Sequence, residues 1–163
     1  MNIVLVEPEI PPNTGNIARL CAATNVRLHL VGPLGFRLDD AMLKRAGMDY
    51  WQHVEWKAWE NWEDFEGSIG EGRMWLVEQG GPVRYDTVSF GAADYLVFGR
   101  ETAGLPRMLQ SLVMSSWKIS PAYGSTRCSE EIPIHCMWAR DQISRTALSC
   151  ILIRICRLSS VKG

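Results

Sequence analysis

Asn2-Ile3-Val4-Leu5-Val6-Glu7-Pro8-Glu9-Ile10-Pro11-Pro12-Asn13-Thr14-Gly15-Asn16-Ile17-Ala18-Arg19 is the stretch whose reading decides the fold. Its first five residues form a short apolar run with β-branched members, the pattern of a buried strand. Three prolines within Glu7–Pro12 then oppose a helix, because each removes a donor and clashes with the preceding turn. Asn13 or Thr14 offers an N-cap, and Ile17, Leu20 and Cys21 recur at helical spacing. A strand therefore feeds a helix through a rigid polar turn.

The same alternation continues along the chain. Arg27–Val31 alternates polar and apolar residues before Gly32-Pro33 and predicts a second strand. Asp39-Asp40 ahead of Met42-Leu43-Lys44-Arg45 predicts a helix with acid at its start and base near its end, closed by Gly47. Lys44 and Arg45 read as a solvated face of it. Trp56, Trp59 and Trp62 fall three apart, which predicts one face of a helix ending near Gly67. At that spacing the stripe reads as core or subunit packing rather than a stacking platform for bases. Arg73–Val77 and Asp94–Phe98 complete the buried strands. The expected fold is an open, mostly parallel α/β sheet flanked by helices, with ligand loops at the strand ends.

Composition sets the outer bounds. With 163 residues, 47% hydrophobic and 21% charged, the chain reads as one globular domain without repeat or linker. No apolar run is long enough for a membrane span, and Met1 leads into a strand rather than a secretion leader. Five cysteines without a Cys-x-x-Cys pair point to free thiols and a cytoplasmic location. A net charge of -1 means that any RNA contact rests on local basic patches.

That average hides a seam. Residues 1–119 carry 11 basic and 15 acidic side chains, whereas residues 120–163 carry 6 basic and 3 acidic. The second segment also holds Cys128, Cys136, Cys150 and Cys156, none of them at a zinc-binding spacing, so no metal is expected. No Gly-x-Ser-x-Gly elbow is present and the three histidines are scattered, which leaves a hydrolase without a site.

Two loops that follow strands carry the chemistry. In the first, Pro11–Arg19, backbone donors at the helix start would face an anion, and Arg19 lies near enough to hold a phosphate. A rigid capped turn with an exposed arginine explains the same residues equally well. The second loop is Phe98-Gly99-Arg100-Glu101-Thr102-Ala103-Gly104-Leu105-Pro106. Gly99 would let a ligand approach the backbone, and Glu101 stands at the strand end. The plainer account is a strand-to-helix turn, relaxed by Gly104, with Pro106 starting the next helix. Neither loop matches the dinucleotide fingerprint or the Walker loop.

Taken together, Glu7–Asn16 and Phe98-Gly99-x-Glu101-Thr102-x-Gly104-Leu105-Pro106 closely resemble the SPOUT superfamily of knotted RNA methyltransferases. The resemblance is greatest to its small members, which methylate the wobble ribose of tRNA, and it covers about residues 2–119. It implies an α/β sheet whose C-terminal segment threads a trefoil knot, an exception to unknotted connectivity. It also implies a homodimer, S-adenosylmethionine as cofactor, and methyl transfer to the ribose 2'-hydroxyl of nucleotide 34 in a tRNA anticodon stem-loop. By the same resemblance Val77, Gly99, Ile119 and Cys128 fall at cofactor-binding positions, and Asn16, Arg19 and Glu101 at the catalytic polar positions. Arginine stays protonated, so Arg19 is expected to act as an electrostatic clamp, with Glu101 orienting Arg19 or Asn16.

The third motif departs from the family. Where Arg-Ser-x-Asn-Leu-Ser and an apolar helix should follow Ile119, the chain reads Ser120-Pro121-Ala122-Tyr123-Gly124-Ser125-Thr126-Arg127-Cys128-Ser129-Glu130-Glu131-Ile132-Pro133. Arg127-Cys128 stands where Arg-Ser would, and Pro133 opposes the helix. The tail is a diverged helix, since Leu148, Ile151, Leu152 and Ile155 keep helical spacing, or a frameshifted ending, or a basic RNA-binding extension. The frameshift accounts best for the seam. Residues 1–119 thus form a family-like core and 120–163 a separate ending. The alternative to an active enzyme is a catalytically dead, frameshifted remnant or a binding-only homologue.

Overall fold

The computed structural model describes residues 1–38, 49–78, 83–84, 87–112 and 117–120. Seven strands form one sheet: β1 (Asn2–Val6), β2 (Arg27–Val31), β3 (Trp56–Trp59), β4 (Met74–Val77), β5 (Val83–Arg84), β6 (Tyr95–Phe98) and β7 (Trp117–Ser120). Their order is β3-β2-β1-β6-β4-β7-β5, and every neighbouring pair is parallel. Helices α1 (Pro11–Thr24), α2 (Trp62–Glu66) and α3 (Arg107–Leu112) and a 3-10 turn (Asp49–His53) connect them.

The central strands β1, β4 and β6 are nearly continuous apolar runs because both of their faces are covered, whereas edge strand β3 is largely exposed. Alternate side chains separate into two cores. Ile3, Leu5, Leu28, Leu30, Leu96 and Phe98 pack with Ile17, Ala18 and Cys21 of α1. Val4, Val6, Val31, Leu76 and Val97 pack with Trp62 and Phe65 of α2 and Leu109 of α3. Burying each large side chain contributes roughly 1.5–3 kcal/mol. From β1 the chain proceeds outward to β2 and β3, while from β6 it proceeds the other way to β7. The sheet therefore reverses its winding between the neighbours β1 and β6, where open α/β sheets place ligands.

The α/β fold and its parallel sheet are as the sequence predicts; two local expectations are not. Trp56–Trp59 is a strand, in register with Leu28–Val31, and only Trp62 begins a helix. The Asn61 side chain accepts from Asp64 N at 2.8 Å and caps α2, so the turn at Glu60–Asn61 breaks the apparent tryptophan stripe. Helix α1 starts at Pro11, with Ile10 as N-cap, rather than at a cap on Asn13 or Thr14. Pro11 and Pro12 occupy the first two helical positions, where the missing N–H has no intrahelical partner to lose. The helix expected over Asp39–Gly47, the knot, Cys128 and the tail beyond Ser120 lie outside the described residues.

Candidate functional site

Leu5 and Phe98 are register partners, so the loops leaving β1 and β6 emerge side by side at the carboxyl edge of the sheet. Three carboxylates clamp them. The Glu101 carboxylate accepts from Glu9 N at 2.8 Å, Ile10 N at 3.4 Å and the Asn13 side-chain amide at 3.3 Å. In return the Glu9 carboxylate accepts from Thr102 N at 3.2 Å and from the Thr102 hydroxyl at 2.6 Å. The Arg100 guanidinium pairs with the Glu7 carboxylate.

Backbone conformation serves the same clamp. Glu7 has φ +52°, in the left-handed region that costs a non-glycine residue about 1–2 kcal/mol. Its N–H donates to Val31 O at 2.7 Å, which ties the turn to the neighbouring strand. Arg100 and Gly104 exchange backbone hydrogen bonds of 3.0 and 2.9 Å, closing the second loop, and Gly104 sits at φ +69°. A Cβ on Gly99 would lie 2.1 Å from the Gly104 carbonyl carbon and 2.2 Å from Leu105 N. The missing side chain of Gly99 is thus used first by the chain's own loop, not only by a ligand.

The anion expected at the start of α1 is supplied from within. Pro11 and Pro12 have no N–H, and the N–H groups of Asn13 and Thr14 donate to Ile10 O at 3.0 and 3.2 Å. Glu101 takes the donors just before them. Its carboxylate is the negative group at this helix end, where the sequence alone fits a bound anion and a plain capped turn equally well.

Of the remaining positions named from sequence, Val77 and Ile119 are register partners at the ends of β4 and β7. Gly99 follows β6, the other neighbour of β4, so these three meet at adjacent strand ends. Asn16 and Arg19 are exposed and three residues apart on α1, hence on one face. Arg19 lies about 9 Å along the helix axis from Asn13, the residue through which Glu101 holds that helix. Cys128 lies outside the described residues. Sequence reasoning misses Glu9, Asn13, Thr102 and the Glu7–Arg100 pair. The available signal is the crowding of three carboxylates, an arginine and a threonine into two strand-end loops.

Away from the two loops, three buried ionisable groups have shifted protonation equilibria. Burial opposes ionisation of Asp94, yet hydrogen bonds from Arg73, Gly91 N and the Trp75 indole outweigh it and hold its pKa below the ordinary value. Burial pushes the Cys21 thiol up to about 12, leaving it inert. Burial lowers His29 to about 4, assisted by Arg27 and Lys57 and opposed by Glu55. Among the described residues no group of three or more His, Cys, Asp or Glu side chains could hold a metal ion. Nor is any described helix long and apolar enough to cross a membrane.

An all-parallel sheet that reverses its winding between two strands with clamped loops defines an open α/β protein, a class that places its ligands at the carboxyl edge of the sheet. The profile of the SpoU rRNA Methylase family matches residues 1–128, and the chain belongs to that family. It is 56% identical over 107 residues to a tRNA (cytidine(34)-2'-O)-methyltransferase of Saccharophagus degradans, spanning 64% of this chain and 68% of that one. A protein of the same name from Methylovorus glucosotrophus is 50% identical over 109 residues, 67% of this chain and 71% of its own. A solved structure concerned with 2-OH methylation of C/U34 on tRNA superimposes with a TM-score of 0.76 at 31% identity, covering 99% of this chain and 97% of that one.

Proposed function

We propose that this chain is a tRNA ribose 2'-O-methyltransferase that acts on nucleotide 34, the wobble position, with S-adenosylmethionine as methyl donor. The observation that carries the reading is the Glu101–Asn13 contact, which fixes the helix bearing Asn16 and Arg19 against the second family motif. Similarity to the two tRNA (cytidine(34)-2'-O)-methyltransferases supplies the substrate class. The adjacent strand ends at Val77, Gly99 and Ile119 fit the cofactor, offering backbone groups and a half-buried valine along one edge. When bound, the cofactor supplies an electrophilic methyl group on a sulfonium.

The chain's own residues would do the rest. Arg19 is permanently cationic and exposed, so it clamps the 2'-hydroxyl or its neighbouring phosphate and favours the developing oxyanion. Asn16, on the same face, orients that group. Glu101 acts through the helix it holds. We further propose a homodimer, in which one subunit's Arg19 meets the other's cofactor, a trefoil knot in the C-terminal segment, and a cytoplasmic location.

Methyl transfer to an anticodon stem-loop tests the reading. Arg19→Ala should abolish transfer, and Arg19→Lys should recover little if the planar guanidinium matters. Loss of activity with intact S-adenosylhomocysteine binding supports this role; full activity in Arg19→Ala overturns it.

A second reading, a catalytically dead remnant, is favoured by one observation: the family match ends at residue 128, where the third motif departs from the expected pattern. We propose the boundary near residue 119 as the start of a frameshifted ending. Calorimetry decides between the readings, since measurable S-adenosylhomocysteine binding supports the enzyme and its absence at high concentration supports the remnant. Resequencing codons 110–163 tests the frameshift itself.

A further inference from the structure

A cavity lies apart from the clamped loops, on the α2 face of the sheet beside the edge strand β3. It measures about 340 Å³, within the range of small-ligand sites. Arg27, His29, Glu55, Lys57, Trp59 and Tyr95 line it. None of the residues placed in the methyl-transfer site does.

His29 is the telling group. It is 6% exposed, and its Nδ1 accepts from the Trp59 indole N–H at 3.1 Å. A neutral imidazole with Nδ1 as acceptor carries its proton on Nε2. That Nε2–H is buried and has no partner among the described residues. An unpaired buried donor costs about 1–3 kcal/mol, so an occupant bringing an acceptor relieves a standing penalty.

The walls specify the rest. The His29 and Trp59 rings lie edge to edge and nearly coplanar, with centroids 6.1 Å apart and planes 21° apart, and the Tyr95 ring lies 6.0 Å from His29. The Lys57 ammonium sits 3.7 Å from the centre of the Trp59 ring, and Arg27 is shared with Glu55 at the rim. Flat aromatic walls, one buried donor and a cationic rim match a heteroaromatic ring bearing an anion. We propose that this cleft is a second binding site, for a nucleotide unit. Its base lies against Trp59 and Tyr95 and, with a small displacement of the wall that now covers it, accepts from the buried His29 Nε2, while its phosphate pairs with Lys57. The unit is either a nucleotide of RNA or a free mononucleotide.

The test follows the His29 imidazole resonances by nuclear magnetic resonance in the full chain, with AMP, inorganic phosphate and an anticodon stem-loop RNA as probes. AMP is expected to shift His29 saturably, phosphate at equal ionic strength is not, and Lys57→Gln should weaken AMP about tenfold. Lys57 is exposed, so that variant should fold as the wild type does. Stem-loop RNA that shifts the same resonance and competes with AMP identifies the source as RNA; AMP binding without competition identifies a free nucleotide. An unshifted His29 at saturating AMP overturns the proposal, as does an equal shift with phosphate or an unchanged AMP affinity in Lys57→Gln. Cofactor binding is read separately, so failure of the methyltransferase reading and failure of this one are distinguishable.

Discussion

The Glu101 carboxylate and the Asn13 side-chain amide meet at 3.3 Å across 88 residues of sequence, joining the two loops that carry the family motifs. The same carboxylate accepts from Glu9 N and Ile10 N, so it serves as the N-terminal anion of α1. Its structural role is one of position: it sets where Asn16 and Arg19 stand relative to the second loop.

Asn13→Asp should set two carboxylates against each other and destabilise the fold by about 1–3 kcal/mol. Glu101→Gln alone should cost about 1 kcal/mol, because an amide oxygen still accepts but the charge is lost. In the double variant the new amide at position 101 can donate to the new carboxylate at position 13, so the two losses should not add. Urea unfolding of all four proteins measures the coupling, expected near 1 kcal/mol in favour of the pair. Strict additivity would show that the contact carries no energy.

The clamp was not legible in the sequence, for a physical reason. Glu101 stands out at a strand end, but its partners Glu7, Glu9, Arg100 and Thr102 are ordinary surface residues to any local rule, and the contacts arise only when β1 and β6 become neighbours. The strands were legible because burial on both faces demands continuous apolar runs, as in Asn2–Val6 and Tyr95–Phe98. Trp56 and Trp59 misled because a spacing of three fits a helix, whereas register with β2 made that segment a strand. Pro11 and Pro12 misled because proline opposes the helix interior but suits its first turn. Propensity described the residues correctly; tertiary context decided what they became.

Asp94 predicts an acid-sensitive fold. Its carboxylate belongs to a residue only 4% exposed and accepts from Arg73 at 2.7 Å, the Trp75 indole at 2.9 Å and Gly91 N at 2.8 Å. Its folded pKa is depressed, so the stabilisation is present above the ordinary value of 3.8 and is lost as pH falls through the folded value. Asp94→Asn should therefore cost about 2–3 kcal/mol at neutral pH, below the full range for breaking a buried ion pair because Arg73 is half exposed. The difference from wild type should shrink below pH 3.8. Chemical denaturation across that range checks it, and a pH-independent difference would contradict the argument.

His29 acts in a separate window. Burial first, then Arg27 and Lys57, lower it from 6.5 to about 4. The unfolded chain binds a proton that the folded chain refuses between those values, so stability should fall as pH drops from 6.5 towards 4. The full loss is on the order of 3–4 kcal/mol, since each unit corresponds to about 1.4 kcal/mol. His29→Gln should flatten that slope while leaving the Asp94 transition in place. Unfolding midpoints measured at intervals across the window test it; an unchanged slope would remove His29 as its source.

Two glycines of the second loop should respond very differently to the same substitution. At Gly99 an added Cβ would stand 2.1 Å from the Gly104 carbonyl carbon and 2.2 Å from Leu105 N. Both are backbone atoms, so no side chain can rotate aside and the loop itself must move. Gly99→Ala should cost about 1–3 kcal/mol or more through overpacking. The displaced loop would carry Glu101 away from Glu9 and Asn13, so methyl transfer should be lost in protein that still folds. At Gly104 nothing lies within 4 Å of the added Cβ, and only the backbone at φ +69° objects. Gly104→Ala should then cost about 1–2 kcal/mol and retain cofactor affinity. Melting temperatures alongside S-adenosylhomocysteine titrations separate the two effects. Equal losses in both variants would mean that the loop responds to strain alone, and that the close approach at Gly99 does not hold the site together.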